Sequence, residues 1–292
     1  MSYVFLNADC FAWMKQQSPN TITAIVTDPP YGVKEYSESE LEKQRLGKGG
    51  VWRLPPSFDG HKRMAVPRFS VINEDPEARK NVFDFFSRWA QLSIQILVPG
   101  GHVIIASTPL LSDILAYAMR TAGFERRGEI IRTVATLRGG DRPKGAEKEF
   151  SMTSVLPRGL WEPWGIYRKP ISEKTVAENL RKWKSGALRR DSENVPFADL
   201  IESCKTPRVE RNIAPHPNVK PQAFMRKIVH ASLPLGEGIV LDPFAGSGTT
   251  IAAAEFCGYE SIGLEKDLTF YEIGKKAIPL LSSLYITTPD LL

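Results

Sequence analysis

The amino-acid sequence predicts an α/β protein built around a mainly parallel β-sheet. Short apolar segments alternate along the chain with segments whose apolar residues recur at the helical period. The apolar segments stop at Pro or Gly, as strands do where they run into loops. With 292 residues, of which 42% are hydrophobic, the chain can bury a large core, and its composition excludes disorder as the main state.

Each predicted element has a local reason. Pro29 and Pro30 end the first apolar run, because proline restricts the backbone of the residue before it and removes N–H donors. Gly123 closes a helix at the position where a left-handed residue is favoured. In chain order, the predicted elements are a strand at 23–27, a helix at 81–97, a strand at 102–107, a helix at 110–122, a strand at 238–242, a helix at 249–257 and a strand at 260–265.

Two long stretches interrupt this alternation. Residues 33–70 are polar and rich in Gly, Pro, Lys and Arg, which predicts a mobile loop with a functional role. Residues 137–212 are irregular and basic. Residues 120–190 contain 17 Lys and Arg against 8 Asp and Glu, although the whole chain has a net charge of only +5. A local basic excess is typical of a nucleic-acid docking face, but a solvated surface gives the same pattern.

Cysteine usage and targeting signals indicate a soluble cytoplasmic protein. Cys10, Cys204 and Cys257 are far apart and form no Cys-x-x-Cys pair, so we expect a reduced protein without a metal site. The N-terminus lacks the pattern of a signal peptide, and no apolar run is long enough to span a membrane.

The first candidate site directly follows the first predicted strand. Asp28 supplies a carboxylate, the carbonyl of Pro29 supplies a second acceptor, Pro30 stiffens the loop, and Tyr31 offers a flat ring. Such a loop can accept both hydrogens of an amino group while the ring that carries the group stacks on tyrosine. The competing interpretation is an ordinary proline-rich turn, which the full sequence from Thr27 to Gly32 makes less favourable.

The second candidate site is the turn between the strand at 238–242 and its helix. Gly246 and Gly248 permit tight backbone geometry and close approach of a ligand, as expected where ligands bind open α/β sheets. No Lys follows the second Gly, which excludes a Walker phosphate loop. Glu265 ends the next strand, where a carboxylate can bind ribose hydroxyls. A nucleoside-containing ligand is therefore expected.

Together these segments resemble a known enzyme family. Asp28-Pro29-Pro30-Tyr31-Gly32 resembles the catalytic motif of the S-adenosylmethionine-dependent amino-methyltransferases that act on DNA, and residues 242–250 resemble their donor motif. The catalytic motif comes first, a basic variable region follows and the donor motif comes last, which is similar to the permuted beta group of that family. The resemblance implies a circularly permuted, Rossmann-like, doubly wound class I methyltransferase fold. It also implies a catalytic domain at residues 1–136 plus 213–292, with 33–70 as its mobile target-side loop, and a target-recognition region at 137–212.

Three flanking segments extend the resemblance. Residues 7–10 resemble the segment that meets the adenine ring of the donor, residues 216–221 the segment that opens the helix before the donor strand, and residues 263–265 the acidic ribose contact. The catalytic residues implied are Asp28, Pro29, Pro30 and Tyr31. The donor contacts implied are Asp9, Cys10, His216, Lys220, Asp242, Phe244, Gly246, Ser247, Gly248, Thr249, Thr250 and Glu265.

The function implied is transfer of a methyl group from S-adenosylmethionine, without a metal, to N6 of an adenine flipped out of double-stranded DNA. Asp at the head of the catalytic motif favours adenine N6 over cytosine N4 in this family. An RNA or protein-amide methyltransferase and an inactive nucleic-acid-binding module are the remaining alternatives. A nucleoid-associated location, a cognate restriction enzyme and a homodimer are also expected. The phosphate contacts expected are Arg138, Arg142, Lys144, Arg181, Lys182, Lys184, Arg189 and Arg190.

Overall fold

The computed structural model describes residues 2–30, 76–135, 140–216 and 218–286. Within these ranges, eight strands form one sheet in the order β1-β8-β7-β2-β3-β5-β4-β6. The strands are β1 (Tyr3–Asn7), β2 (Ile22–Thr27), β3 (Leu97–Ala106), β4 (Glu125–Thr133), β5 (Trp161–Arg168), β6 (Leu200–Glu202), β7 (Ile239–Asp242) and β8 (Glu260–Glu265).

Helices connect these strands, and several begin at side-chain caps. The Asp9 side chain accepts the Ala12 N–H at the start of the first helix, and Asp267 caps the last helix in the same way. The described helices are α1 (Cys10–Lys15), α2 (Pro76–Ile96), α3 (Ser112–Thr121), α4 (Val176–Trp183), α5 (Arg208–Ile213), α6 (Gln222–Ser232), α7 (Thr249–Phe256) and α8 (Leu268–Ser282). None of them is long and apolar enough to cross a bilayer.

The sheet is mainly parallel and doubly wound, as predicted. Only β5 among the described strands runs against its neighbours, β3 and β4. From β7 the chain moves outward to β8, whereas from β2 it moves the other way to β3. Because both crossovers are expected to be right-handed, α7 and α2 lie on opposite faces of the sheet. The topological switch point therefore falls between the carboxyl ends of β7 and β2, where open α/β sheets bind ligands.

Residues from the two ends of the chain complete the sheet. β1 is the first strand in the sequence, yet it pairs in parallel with β8, the last one, with Asn7 opposite Glu265. The core lies around β2 and β3, whose residues are all buried, with Trp89 and Trp164 among its largest fully buried side chains. Burial on both faces explains why these strands appear in the sequence as continuous apolar runs.

The structure does not separate residues 137–212 from the catalytic sheet. β5 lies inside the sheet between β3 and β4, and β6 extends its edge. These strands were missed because β5 contains Pro163 and Gly165, which disfavour strand prediction, and because β4 is largely charged. The predicted loop at 33–70 lies outside the described residues.

Candidate active site at the carboxyl edge of the sheet

Two acidic residues meet at the switch point. Asp242 is the last residue of β7, and Asp28 follows directly after β2, the neighbouring parallel strand. The Thr27 hydroxyl donates to Asp242 Oδ1 at 2.7 Å, and the Phe244 N–H donates to the same oxygen at 3.1 Å. Asp242 therefore ties the end of β2 to the turn that follows β7.

The buried position of Asp242 changes its protonation behaviour. Burial, reinforced by the neighbouring charge of Asp28, raises the pKa of the Asp242 carboxyl to about 6, although hydrogen bonds from Thr250, Thr27 and Phe244 act in the opposite direction. Asp242 was predicted to contact the donor directly. Its 2% exposure and its protein partners show instead a carboxyl that organises the loop.

The turn after β7 has the geometry that its two glycines permit. Gly246 and Gly248 have φ angles of +52° and +81°, in the left-handed region that favours glycine. The Gly246 N–H donates to Glu265 Oε2 at 2.8 Å, and the Asp267 N–H donates to Oε1 at 2.7 Å. The Glu265 carboxylate, whose pKa burial raises, thus connects the turn to the end of β8.

His216 lies over this turn. A Cβ atom added at Gly246 would lie 3.2 Å from His216 Nε2, and the imidazole packs edge-on against Phe270 with 4.3 Å between ring centroids. Its Nδ1 accepts the Asn218 N–H at 3.1 Å. Burial, with a further contribution from the Lys220 cation, lowers the His216 pKa to about 4, so the ring is neutral at physiological pH.

A buried ion-pair network holds the carboxylate of Asp28. Lys220 Nζ lies 2.8 Å from Asp28 Oδ2 and 3.0 Å from Glu162 Oε1. The Asn218 amide donates to the same Asp28 oxygen at 2.6 Å. Arg132 completes the network, with its guanidinium 2.9 Å from Glu162 Oε2.

These charges keep one another ionised in a site with little solvent. Burial acts against both charged forms, but the carboxylates of Asp28 and Glu162 raise the pKa of Lys220 despite it. In the same way Lys220 and Arg132 outweigh burial and lower the pKa of Glu162. The Trp164 indole N–H also donates to Glu162, at 3.1 Å. The network is thus fully charged and balanced at neutral pH.

The structure therefore changes the expectation for Lys220 and adds residues that the sequence did not reveal. Lys220 was predicted as a donor contact, yet its ammonium binds the two carboxylates at the other side of the switch point. Glu162 and Arg132 were not predicted to take part. A charged residue within each of two buried strands was the available signal, but neither strand was recognised.

Other predicted donor contacts lie along the same edge. Asp9 follows β1, beside the end of β8, and forms a 3.1 Å ion pair with Lys266. Cys10 is buried, and burial raises its thiol pKa to about 12, so it has no nucleophilic thiolate at neutral pH. Phe244 packs against Phe85 of α2. Ser247 and Thr250 are buried and Thr249 begins α7.

The predicted phosphate contacts divide between two edges of the sheet. Arg142 and Lys144 are exposed on the loop from β4 to β5, which leaves the sheet at the same edge as Asp28. Pro29 is buried and Pro30 is exposed in the loop after Asp28, whereas Tyr31 and Arg138 lie outside the described residues.

The remaining basic residues belong to the opposite edge. The Asn179 amide of α4 donates to the Pro99 carbonyl at the start of β3, roughly 23 Å along that strand from its carboxyl end. Arg189 donates to the Tyr259 hydroxyl just before β8. The structure therefore does not bring five of the predicted phosphate contacts to the site: Arg181, Lys182, Lys184, Arg189 and Arg190.

The chemistry available at this edge is polar and free of recognisable metal ligands. Among the described residues, no group of three or more His, Cys, Asp or Glu side chains could hold a metal ion. The edge offers an ionised carboxylate at Asp28 beside a glycine turn with a carboxylate at its far end.

Comparison with known proteins adds sequence relatives. The family model described as DNA methylase, of the N6 and N4 type, matches residues 22–276. The type II methyltransferase M.HindIII of Haemophilus influenzae is 25% identical, covering 92% of this chain and 98% of its own length. The DNA adenine methyltransferase YhdJ of Escherichia coli is 42% identical over 67 residues, 23% of this chain and 22% of the relative.

Solved structures share the fold. The DNA modification methylase TTHA0409 of Thermus thermophilus, in complex with S-adenosylmethionine, aligns over 98% of both chains with a TM-score of 0.58 and 18% identity. The PvuII DNA methyltransferase, described as cytosine-N4-specific, aligns over 99% of this chain and 88% of its own with a TM-score of 0.59 and 12% identity.

Proposed function

Because the chain belongs to the N6/N4 DNA methylase family and is a DNA methyltransferase, we propose that it methylates N6 of adenine, using S-adenosylmethionine as donor. The observation that carries this proposal is the placement of Asp28 beside the glycine turn, at the switch point between β2 and β7. One residue can then act on the target amino group while the turn holds the donor.

The residues of the turn fit a nucleoside donor. The positive φ angles of Gly246 and Gly248 keep the backbone free of Cβ atoms on the approach to the loop. Glu265, at the end of β8, is placed where a carboxylate accepts hydrogen bonds from ribose hydroxyls. The donor supplies a methyl group on a positively charged sulfonium, and the TTHA0409 structure contains such a donor on the same fold.

Asp28 and Pro29 supply the acceptors for the target amino group. The adenine amino nitrogen is a poor nucleophile because its lone pair is delocalised into the ring. The Asp28 carboxylate and the Pro29 carbonyl, accepting one hydrogen each, favour a pyramidal nitrogen with a localised lone pair. Orientation and preorganised charge then lower the barrier to attack on the methyl carbon.

The choice of adenine rests on the head of the catalytic motif and on a named relative. Asp28 stands where an N4-cytosine enzyme of this family prefers Ser, and YhdJ is described as an adenine methyltransferase. The cytosine alternative stays under test, because the PvuII enzyme shares the fold.

The loop between β4 and β5 is the proposed contact to double-stranded DNA. Exposed Arg142 and Lys144 emerge from it at the edge that carries Asp28, and cations there neutralise phosphates next to the extruded base. The type II description of M.HindIII supports the further proposal of a cognate restriction enzyme in the cytoplasm.

The test is methylation of unmodified DNA by the purified protein, with the nucleosides identified by mass spectrometry. Asp28→Ala is expected to lower the rate at least about a hundredfold while leaving donor affinity within about twofold. Asp199→Ala removes an exposed carboxylate outside the network and is the matched control. N4-methylcytosine, an absence of any DNA mark, or an Asp28→Ala protein with most of its rate would contradict the proposal.

A further inference from the structure

We infer that Lys220 is a positioning residue for methyl transfer: together with Asn218 it fixes the Asp28 carboxylate, ionised, in the orientation that receives the target amino group. Glu162 and Arg132 in turn fix Lys220. This inference rests on the proposed function, because the carboxylate it concerns is the proposed acceptor. It gives Lys220 a role at the target base rather than at the donor.

The contacts of Lys220 are those of a fixed group. Its side chain is 5% exposed, and its ammonium bridges Asp28 Oδ2 at 2.8 Å and Glu162 Oε1 at 3.0 Å. It also donates to Asn218 Oδ1 at 3.1 Å, while the Asn218 amide donates to Asp28 Oδ2. Two donors converging on one carboxylate oxygen restrict its rotation, and small errors in such an orientation are costly to catalysis.

The charges around Asp28 show why an ammonium is needed. Glu162 on β5 and Asp242 on β7 are the other carboxylates that face the group, and Arg132 on β4 balances Glu162. His216 also faces Lys220 but is neutral at physiological pH. Without Lys220, Asp28 and Glu162 would be two like charges in a nearly dry site, a condition that favours protonation of one of them. A protonated Asp28 accepts hydrogen bonds less strongly from an amino group.

Three variants and one control separate this role from a structural one. Lys220→Met removes the charge, Lys220→Met combined with Glu162→Gln removes the charge and the second carboxylate together, and Asn218→Ala removes the second donor from an exposed side chain. Lys227→Met makes the same chemical change on α6 outside the network and is the matched control.

The inference predicts a specific kinetic pattern. Lys220→Met should lower kcat about a hundredfold and keep donor affinity within about twofold. The acidic limb of its kcat profile should move to higher pH, because a lost cation no longer favours the ionised carboxylate. Adding Glu162→Gln should restore about tenfold, and Asn218→Ala should cost about tenfold without affecting folding. Asp242→Asn should leave the limb in place, which shows that the limb does not report Asp242.

A titration of the protein without donor or DNA provides a readout independent of turnover. In ¹³C-aspartate-labelled protein, the carboxyl signal missing from Asp28→Asn should titrate at higher pH in Lys220→Met than in the wild type. An unchanged titration, or a donor affinity that falls as much as kcat, would overturn the inference while wild-type methylation stands. Wild-type protein that leaves DNA unmarked would overturn the proposed function and this inference with it.

Discussion

The buried carboxyl of Asp242 makes the stability of the protein depend on pH, and Asp242→Asn removes that dependence. The side chain is 2% exposed, and burial raises its pKa from 3.8 to about 6. Asparagine retains an oxygen that can accept from the Thr27 hydroxyl and the Phe244 N–H, so the loop contacts can persist. The substitution therefore changes mainly the charge.

The sign and size of the effect follow from the raised pKa. The folded protein binds the Asp242 proton more tightly than the unfolded chain does. The stabilisation is consequently complete below pH 3.8 and is lost as the pH rises through about 6. The difference between these two pKa values corresponds to roughly 3 kcal/mol in the free energy of unfolding. Above about pH 7, the ionised carboxylate should make the wild type less stable than Asp242→Asn by about that amount.

Urea denaturation of both proteins between about pH 4 and pH 8 measures this dependence. Subtracting one free energy of unfolding from the other cancels the titration of groups that the two proteins share. The advantage of Asp242→Asn should grow steadily through the acidic range and then level off. A difference that stays constant with pH would refute the reasoning, and Asp113→Asn on exposed α3 serves as the control.

Two further predictions concern the turn and the DNA face. Gly248→Ala should reduce the free energy of unfolding by about 1–3 kcal/mol in urea denaturation, because φ is +81° and the new methyl group would run into Ile278. Arg142→Ala should weaken DNA binding and reduce its salt dependence by about one phosphate contact in fluorescence anisotropy, whereas Arg181→Ala, at the opposite edge, should change neither. Equal losses for both arginine variants would mean that DNA covers both edges.

Predictability from sequence differed between the two halves of the sheet. β2, β3, β7 and β8 were recognised because they are short apolar runs bounded by Pro, Gly or Asp. The strands β4 and β5 were not, since their pairing depends on partners far away along the chain and their own residues include charges, Pro163 and Gly165. Local patterns report burial on both faces of a central strand, but they do not report strands whose stability comes from their neighbours.

The candidate site shows the same limit at the level of side chains. The motifs located Asp28 and the glycine turn, because loop chemistry of that kind is local in the sequence. The partners of Asp28 come from Arg132, Glu162 and Lys220, and only the folded sheet brings them together. Stability alone gives little reason for this arrangement, because well-packed apolar residues commonly replace buried ion pairs without loss. A balanced network around one carboxylate is better explained by what that carboxylate must do, which is to stay charged and fixed while a base is presented to it.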